Sequence, residues 1–329
     1  MSLLLMLTGI SNPDMLPGNS VDTVEVMAES DSVIAADSSE KAVPNNSYGE
    51  NIDNSEKESA NKTDQEFQDS SDDSSPDINE TLIRNPVYED FKGQAMITFS
   101  YDDGWNSIYE YALPLHEKYG IPATFNIIAR MVVEEKFHSQ YFSPEKVIDS
   151  AKRGIEIASH SYYHDIALTE KTDEEIHFEL SESKKILSEL AGDVETFAVP
   201  YSLYDDRVKN IAEQYYRGVR VFGQKLNNIP PDDVYRLYSA VAVTNKTTFE
   251  EVKQKIDEAV NKKKWIIIMF HGINPKKETY YEITPELLEQ IMEYVSSFDK
   301  DYLLPINTRD ALLFMEKYYM NKQQFTQQE

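Results

Sequence analysis

From Thr81 to the end of the chain, short runs of apolar, strand-forming residues alternate about seven times with amphipathic stretches. That alternation leaves few folds open. A helix after each strand returns the chain to the same edge, so the strands run parallel and need cover on both faces. The outcome is an α/β fold, either an open doubly wound sheet or a closed barrel. The expected strands are 96–100, 123–128, 155–159, 196–199, 218–222, 235–243, 265–270 and 303–306. The expected helices are 107–119, 144–153, 172–190, 205–215, 248–262, 284–298 and 308–319. Local punctuation supports these bounds. Ser143 caps a helix with Pro144 in its first turn, Thr172 and Glu175 form a capping box, and Gly120 with Pro122 closes the first unit. Pro114 delays or kinks the first helix.

In a parallel sheet the carboxyl ends of the strands gather on one side, where their side chains share a crevice. Asp102 and Asp103 follow the first expected strand, His160 and His164 the third, and His271 the continuous apolar run 265–270. Far apart in the chain, these residues converge in either fold. Asp103, His160 and His164 make a three-ligand set for a divalent cation, with positions left open for water and substrate. Mixed imidazole and carboxylate ligation suits zinc first, with cobalt, nickel, manganese or iron as alternatives. Taken alone, the His-x-x-x-His spacing fits an ordinary surface or capping pair equally well, and Asp103-Gly104 fits a turn. The turn explains the glycine but not two adjacent negative charges at a buried strand end, where a cation must compensate. Asp165, next to His164, is an expected outer acceptor for a ligand imidazole. His271 reads either as a core histidine before a Gly272 turn or as a general acid. His116 and His177 on helices and His138 in a polar loop read as solvated. Trp105, Tyr162, Tyr163, Tyr201 and Tyr204 are either packing aromatics or the lining of a sugar site.

The first 90 residues are of another kind, with 20 Asp and Glu against 4 Lys and Arg, so that −16 of the chain's −26 lies there. Serine, asparagine and acidic residues dominate 18–80, and such a segment cannot offset its ordering entropy by burial. Residues 1–85 are expected to be a disordered acidic linker, 86–320 the folded domain and 321–329 a polar tail. Residues 2–10 are apolar, too short to span a bilayer and not preceded by basic residues. They read as a truncated or misassigned export signal or anchor, against a short disordered apolar end. Sequons at Asn45, Asn61 and Asn79, and at Asn245 in the folded part, fit export, although such triplets arise by chance in Asn- and Ser-rich sequence. The expected location is therefore extracellular or at the cell surface, with a tether through the amino terminus. Cysteine is absent, which excludes disulfides, thiolate metal sites and cysteine nucleophiles. The acidity excludes nucleic acid as a partner.

The strand ends carry a resemblance. Ser100 to Gly104 with Trp105 is similar to the Thr-Phe-Asp-Asp-Gly signature of the polysaccharide deacetylases, carbohydrate esterases that share the nodulation-factor deacetylase homology domain. His160-Ser161-Tyr162-Tyr163-His164 resembles the family's His-Ser-x-x-His motif, Val199-Pro200-Tyr201 part of its third motif, and Phe270-His271-Gly272 its closing His-Gly motif. Tyr119 to Phe125 resembles the family's link between first helix and second strand, and the likeness runs from about Met96 to Leu313 in order.

The resemblance implies a distorted seven- or eight-stranded β/α barrel and metal-dependent removal of an acetyl group from a polysaccharide. By position it makes Asp102 the general base, Asp103, His160 and His164 the metal ligands, and His271 the general acid. It gives the Tyr201 backbone amide a share of the oxyanion and sets Trp105, Tyr163 and Pro200 against substrate. There are two departures. The family's third motif commonly starts with an arginine that positions the catalytic aspartate, and Ala198 stands there. No Asp-x-x-Asp-Trp-like motif appears around 227–235. The joint loss resembles the branch acting on partially exposed poly-N-acetylglucosamine, and it leaves Asp102 without an evident tuning partner. Alternatives are an O-acetyl esterase of the xylan type, a carbohydrate-binding protein that kept the fold and lost turnover, and a metal-dependent phosphoesterase. The acidic surroundings disfavour the last.

Overall fold

The computed structural model describes Ile83 and residues 85–326, with 321–326 as backbone alone. The acidic stretch, residues 2–10 and the sequons at Asn45, Asn61 and Asn79 lie outside the described residues. In chain order the strands are β1 (Ala95–Tyr101), β2 (Ala123–Ile127), β3 (Glu156–Ser159), β4 (Thr196–Ala198), β5 (Gly218–Phe222), β6 (Leu237–Ala242), β7 (Trp265–Phe270) and β8 (Leu303–Pro305). The helices are α1 (Leu113–Tyr119), α2 (Ala129–Val133), α3 (Pro144–Lys152), α4 (Asp173–Ala191), α5 (Asp206–Ala212), α6 (Phe249–Lys262), α7 (Pro285–Ser296) and α8 (Thr308–Thr326). The tail beyond residue 320 thus continues α8 as far as Thr326.

Strands β1 to β7 pair in parallel, each with the next, and β7 returns to β1 to close a barrel of seven strands. Strand β1 meets β7 along its length, from Met96 opposite Trp265 to Tyr101 opposite Phe270. Its other edge is shared. Phe99 to Tyr101 pair with β2, whereas Ala95 to Ile97 pair with β8. Strand β8 therefore fills the edge that the short β2 leaves open, and this is the distortion of the barrel.

Alternation along β1 sorts its side chains. Ile97, Phe99 and Tyr101 join the apolar layer beneath the helices, each fully buried and worth about 1.5–3 kcal/mol. Thr98 and Ser100 face the lumen, where Trp265 Nε1 donates to Thr98 Oγ1 (3.0 Å) and Asn126 Nδ2 donates to Ser100 Oγ (2.8 Å). At the amino-terminal end of the strands, buried Glu156 accepts from Thr124 Oγ1 (2.7 Å), Thr196 Oγ1 (2.5 Å) and the Arg309 amide (3.0 Å). One carboxylate thereby ties β2, β3, β4 and the start of α8. A cavity of about 580 Å³ lined by Glu195, Tyr215, Arg217, Leu312 and Tyr319 opens at that same end, away from the carboxyl ends of the strands.

Two expectations change. The first helix is in two parts: a π-helical turn, Ile108–Ala112, in which the Leu113 amide reaches Ile108 O, followed by α1 with Pro114 near its start. The wider turn leaves proline in the first turn of α1, where its missing N–H costs nothing. His116 is not solvated but fully buried, with Nδ1 2.8 Å from Ile121 O and Nε2 2.9 Å from Tyr101 Oη. Those partners suit a neutral ring, and burial lowers its pKa to about 4. Among the described residues no helix is long and apolar enough to cross a membrane.

Candidate active site

Asp102 continues the line of β1, its amide donating to Phe270 O (2.9 Å), and its side chain is only 4% exposed. Such a carboxylate must be compensated. Arg220 Nη2 lies 2.6 Å from both carboxylate oxygens, and Asn126 Nδ2 donates to Oδ1 (2.9 Å). Arg220 Nη1 is in turn set by Ser239 Oγ (3.3 Å) and Met269 Sδ (2.9 Å). Burial pushes the Asp102 carboxyl up, but the Arg220 charge, with smaller help from the neighbouring imidazoles and the Arg220 hydrogen bond, outweighs it and holds the group below the usual carboxylate range.

Arg220 is the residue that sequence reading missed. It sits on β5, directly opposite Ala198 of β4 in register. The guanidinium expected at position 198 therefore arrives from the neighbouring strand. Its sequence signal was a lone arginine inside the apolar run Gly-Val-Arg-Val-Phe.

Asp103 takes a left-handed conformation (φ 75°), as does Gly104 (φ 80°). The left-handed dihedral at Gly104 favours glycine, and a Cβ there would also have to push aside the Ile127 Cδ1 methyl, 2.9 Å away. The turn aims Asp103 Oδ1 at His160 Nε2 (3.5 Å) and His164 Nε2 (3.8 Å). Ligand atoms of the three residues all lie within 4.8 Å of one another. His160 Nδ1 is 2.8 Å from Ala198 O, which makes Nδ1 the protonated nitrogen and leaves Nε2 as the free donor. Burial is the main reason that the His160 pKa falls to about 4, so the ring is neutral at pH 7 as a ligand must be. The other oxygen of Asp103 is held by Trp105 Nε1 (2.8 Å). One oxygen and two nitrogens, with Asp103 and His160 held by fixed outer partners, fit a divalent cation of the zinc type.

The remaining expected residues fall around this centre. His271 Nε2 is 3.9 Å from Asp102 Oδ2, its ring lies 4.7 Å from the Tyr281 ring, and its buried Nδ1 has no hydrogen-bond partner among the described residues. Tyr201 occupies a turn after β4 with φ 56°, and its hydroxyl donates to His164 O (3.0 Å). Trp105 stacks on Tyr141 (4.3 Å), so its ring packs on protein while its N–H serves Asp103. Tyr163 is flanked by Phe178, Arg130 and Lys171. Pro200 is buried within its turn. Asp165 faces Lys171 Nζ at 2.6 Å, so its carboxylate is engaged away from the ligand imidazoles.

Known proteins resemble parts of this chain. The sequence model of the polysaccharide deacetylase family matches residues 90–219. A poly-beta-1,6-N-acetyl-D-glucosamine N-deacetylase of Staphylococcus aureus is 32% identical over 120 residues, covering 33% of this chain and 41% of the relative. A candidate polysaccharide deacetylase of Bacillus subtilis is 28% identical over 126 residues, covering 37% of this chain and 43% of that one. The chain thus spans about two-fifths of the length of these curated relatives. The crystal structure of a candidate polysaccharide deacetylase from Mycobacterium smegmatis shares the fold, with a TM-score of 0.51 at 14% identity over 69% of this chain and 92% of that one. The motifs, met in order around a closed parallel barrel, are similar to those of the polysaccharide deacetylase family, whose sequence model matches residues 90–219 of this chain.

Proposed function

We propose that the protein is a metal-dependent hydrolase that removes acetyl groups from an N-acetylated polysaccharide, a poly-N-acetylglucosamine-like polymer ahead of chitin-like or cell-wall glycans. The observation that carries this reading is the convergence of Asp103, His160 and His164 beside the buried Asp102–Arg220 pair. The name of the Staphylococcus aureus relative supports the substrate class.

A divalent cation held by the three ligands, zinc first by donor chemistry, supplies Lewis acidity towards a water and the acetyl carbonyl. Asp102 takes the proton of the attacking water. Arg220 Nη2 reaches both of its oxygens and Asn126 adds a second donor to Oδ1 alone, so Oδ2, on the His271 side, is the less occupied oxygen and is assigned as the accepting atom. A carboxyl held below its usual range is ionised at neutral pH and ready for that role. His271 gives its proton to the amide nitrogen as the carbon–nitrogen bond breaks, because an amine anion is too poor a leaving group to depart unprotonated. The Tyr201 backbone N–H is assigned to the carbonyl oxygen as it gains negative charge. Trp105 acts through Asp103, by holding the oxygen that does not face the imidazoles.

The test is acetate release by the purified full-length chain from N-acetylglucosamine oligomers and polymer, after chelation and after adding back zinc or cobalt. Release that disappears on chelation and returns with metal is the expected result. Absence of release from both N- and O-acetylated glycans, with metal bound, would overturn the reading in favour of a carbohydrate-binding protein.

A further inference from the structure

We propose that Glu179, linked to Lys171, is a positioning residue that shapes the metal centre by fixing the loop between its two histidines; this rests on the metal reading of Asp103, His160 and His164. Glu179 lies on α4 within the stripe of Ile176, Leu180, Ser183 and Leu187 that faces the core, and is 1% exposed. A carboxylate there is anomalous unless it has a task. Its Oε2 accepts from two successive backbone amides, Tyr162 N and Tyr163 N, both at 2.8 Å. These are the residues between His160 and His164. Its Oε1 lies 2.8 Å from Lys171 Nζ, an ion pair without hydrogen-bond alignment, and the same ammonium is 2.6 Å from Asp165 Oδ1. A single buried carboxylate thus grips the middle of the segment, and through Lys171 it also grips the residue after the second histidine.

The backbone shows why a grip is needed. Ser161 (φ 67°) and His164 (φ 51°) are non-glycine residues in the left-handed region, and such conformations persist only where the surroundings impose them. If the segment relaxed to extended dihedrals, the two imidazoles would no longer face one oxygen of Asp103. Further anchors exist. Ser161 Oγ accepts from the His164 amide (3.2 Å), and the Tyr201 hydroxyl donates to His164 O (3.0 Å). Loss of Glu179 alone therefore loosens the centre without abolishing it.

The test uses the metal-free full-length chain and Co²⁺ as probe, read by calorimetric titration and by the cobalt absorption spectrum, at a temperature well below unfolding. Glu179→Leu removes the acceptor of both amides, and the expected loss is about 10- to 100-fold in affinity with an altered spectrum. Glu179→Gln keeps one acceptor oxygen for the two amides and recovers most of the affinity. A role in stability alone would lower the melting temperature and leave the cobalt affinity and spectrum of the folded protein unchanged. Wild-type affinity in E179L would overturn the proposal. Should E179L fail to fold, Glu179→Asp keeps the charge but falls a methylene short of the amides; it must show the same loss, and wild-type affinity there overturns the proposal as well. Failure of the wild-type chain to bind Co²⁺ at all would overturn the metal reading itself, a result distinct from the failure of Glu179.

Discussion

Arg220→Met is the substitution with the largest calculable consequence. Arg220 and Asp102 are 3% and 4% exposed and lie 2.6 Å apart. An intact buried pair contributes little net stability, because its attraction is spent against desolvation, but removing one partner strands the other charge and costs about 3–5 kcal/mol. In a domain of this size each kcal/mol moves the melting temperature by about 2–4 °C, so the variant should melt roughly 10 °C lower. The second consequence concerns protons. Burial is the largest influence on the Asp102 carboxyl and pushes it up, while the Arg220 charge is the largest influence pulling it down. With methionine at that position burial prevails, and the acidic limb of kcat/KM, which reports the base in the free enzyme, moves to higher pH. Arg220→Lys separates charge from shape. It keeps a cation near Asp102 and so keeps the limb close to the wild-type position, but it gives up the second nitrogen that reaches Ser239 and Met269. The assay is acetate release across the acid and neutral range, with melting followed in parallel. An R220M chain with the wild-type limb and melting temperature would refute the argument.

Three further outcomes follow from the same geometry. Asp102→Asn should lower turnover by about 10²–10⁴ while Co²⁺ titration shows the cation still bound, since Asp102 is the proposed base and not a ligand; undiminished turnover would remove Asp102 from that role. Trp105→Phe deletes the 2.8 Å contact to Asp103 Oδ2 and should weaken Co²⁺ binding by about 10-fold, and an unchanged titration would show that Asp103 needs no such support. His116 sets a pH dependence of stability. Its folded pKa of about 4 lies below the ordinary histidine value of 6.5, so the unfolded chain takes up this proton first. The stabilisation is complete above 6.5 and is lost as pH falls towards about 4, a span worth about 3 kcal/mol. An NMR titration should show the His116 ring neutral at pH 5, and an ordinary midpoint near 6.5 would contradict its burial.

What could be read from the sequence, and what could not, divides along a physical line. Strands 218–222 and 265–270 stand where their apolar runs put them, and Thr172 with Glu175 forms the capping box that opens α4. These are local matters of burial, alternation and capping. The convergence of Asp102, Asp103, His160, His164 and His271 was legible because a parallel barrel gathers the residues at its strand ends, so position after an apolar run is itself a signal. The groups that tune them obey no such rule. Arg220 reaches Asp102 from 118 residues away, and only the pairing of Ala198 with Arg220 shows that a guanidinium has moved one strand along the barrel without leaving its level. Glu179 reads in sequence as one more acid on an acidic helix until the period of Ile176, Leu180 and Leu187 puts it on the buried face. His116, between Leu115 and Glu117, looks solvated until α1 turns it towards Tyr101. In each case the meaningful feature is a polar residue at a position whose period assigns it to the interior. A buried charge needs a buried partner, so the parity of Arg220 within β5 and the helical phase of Glu179 each imply an opposite charge or a set of backbone amides across the packing. In this barrel those partners are the proposed base and the loop that carries the proposed metal ligands.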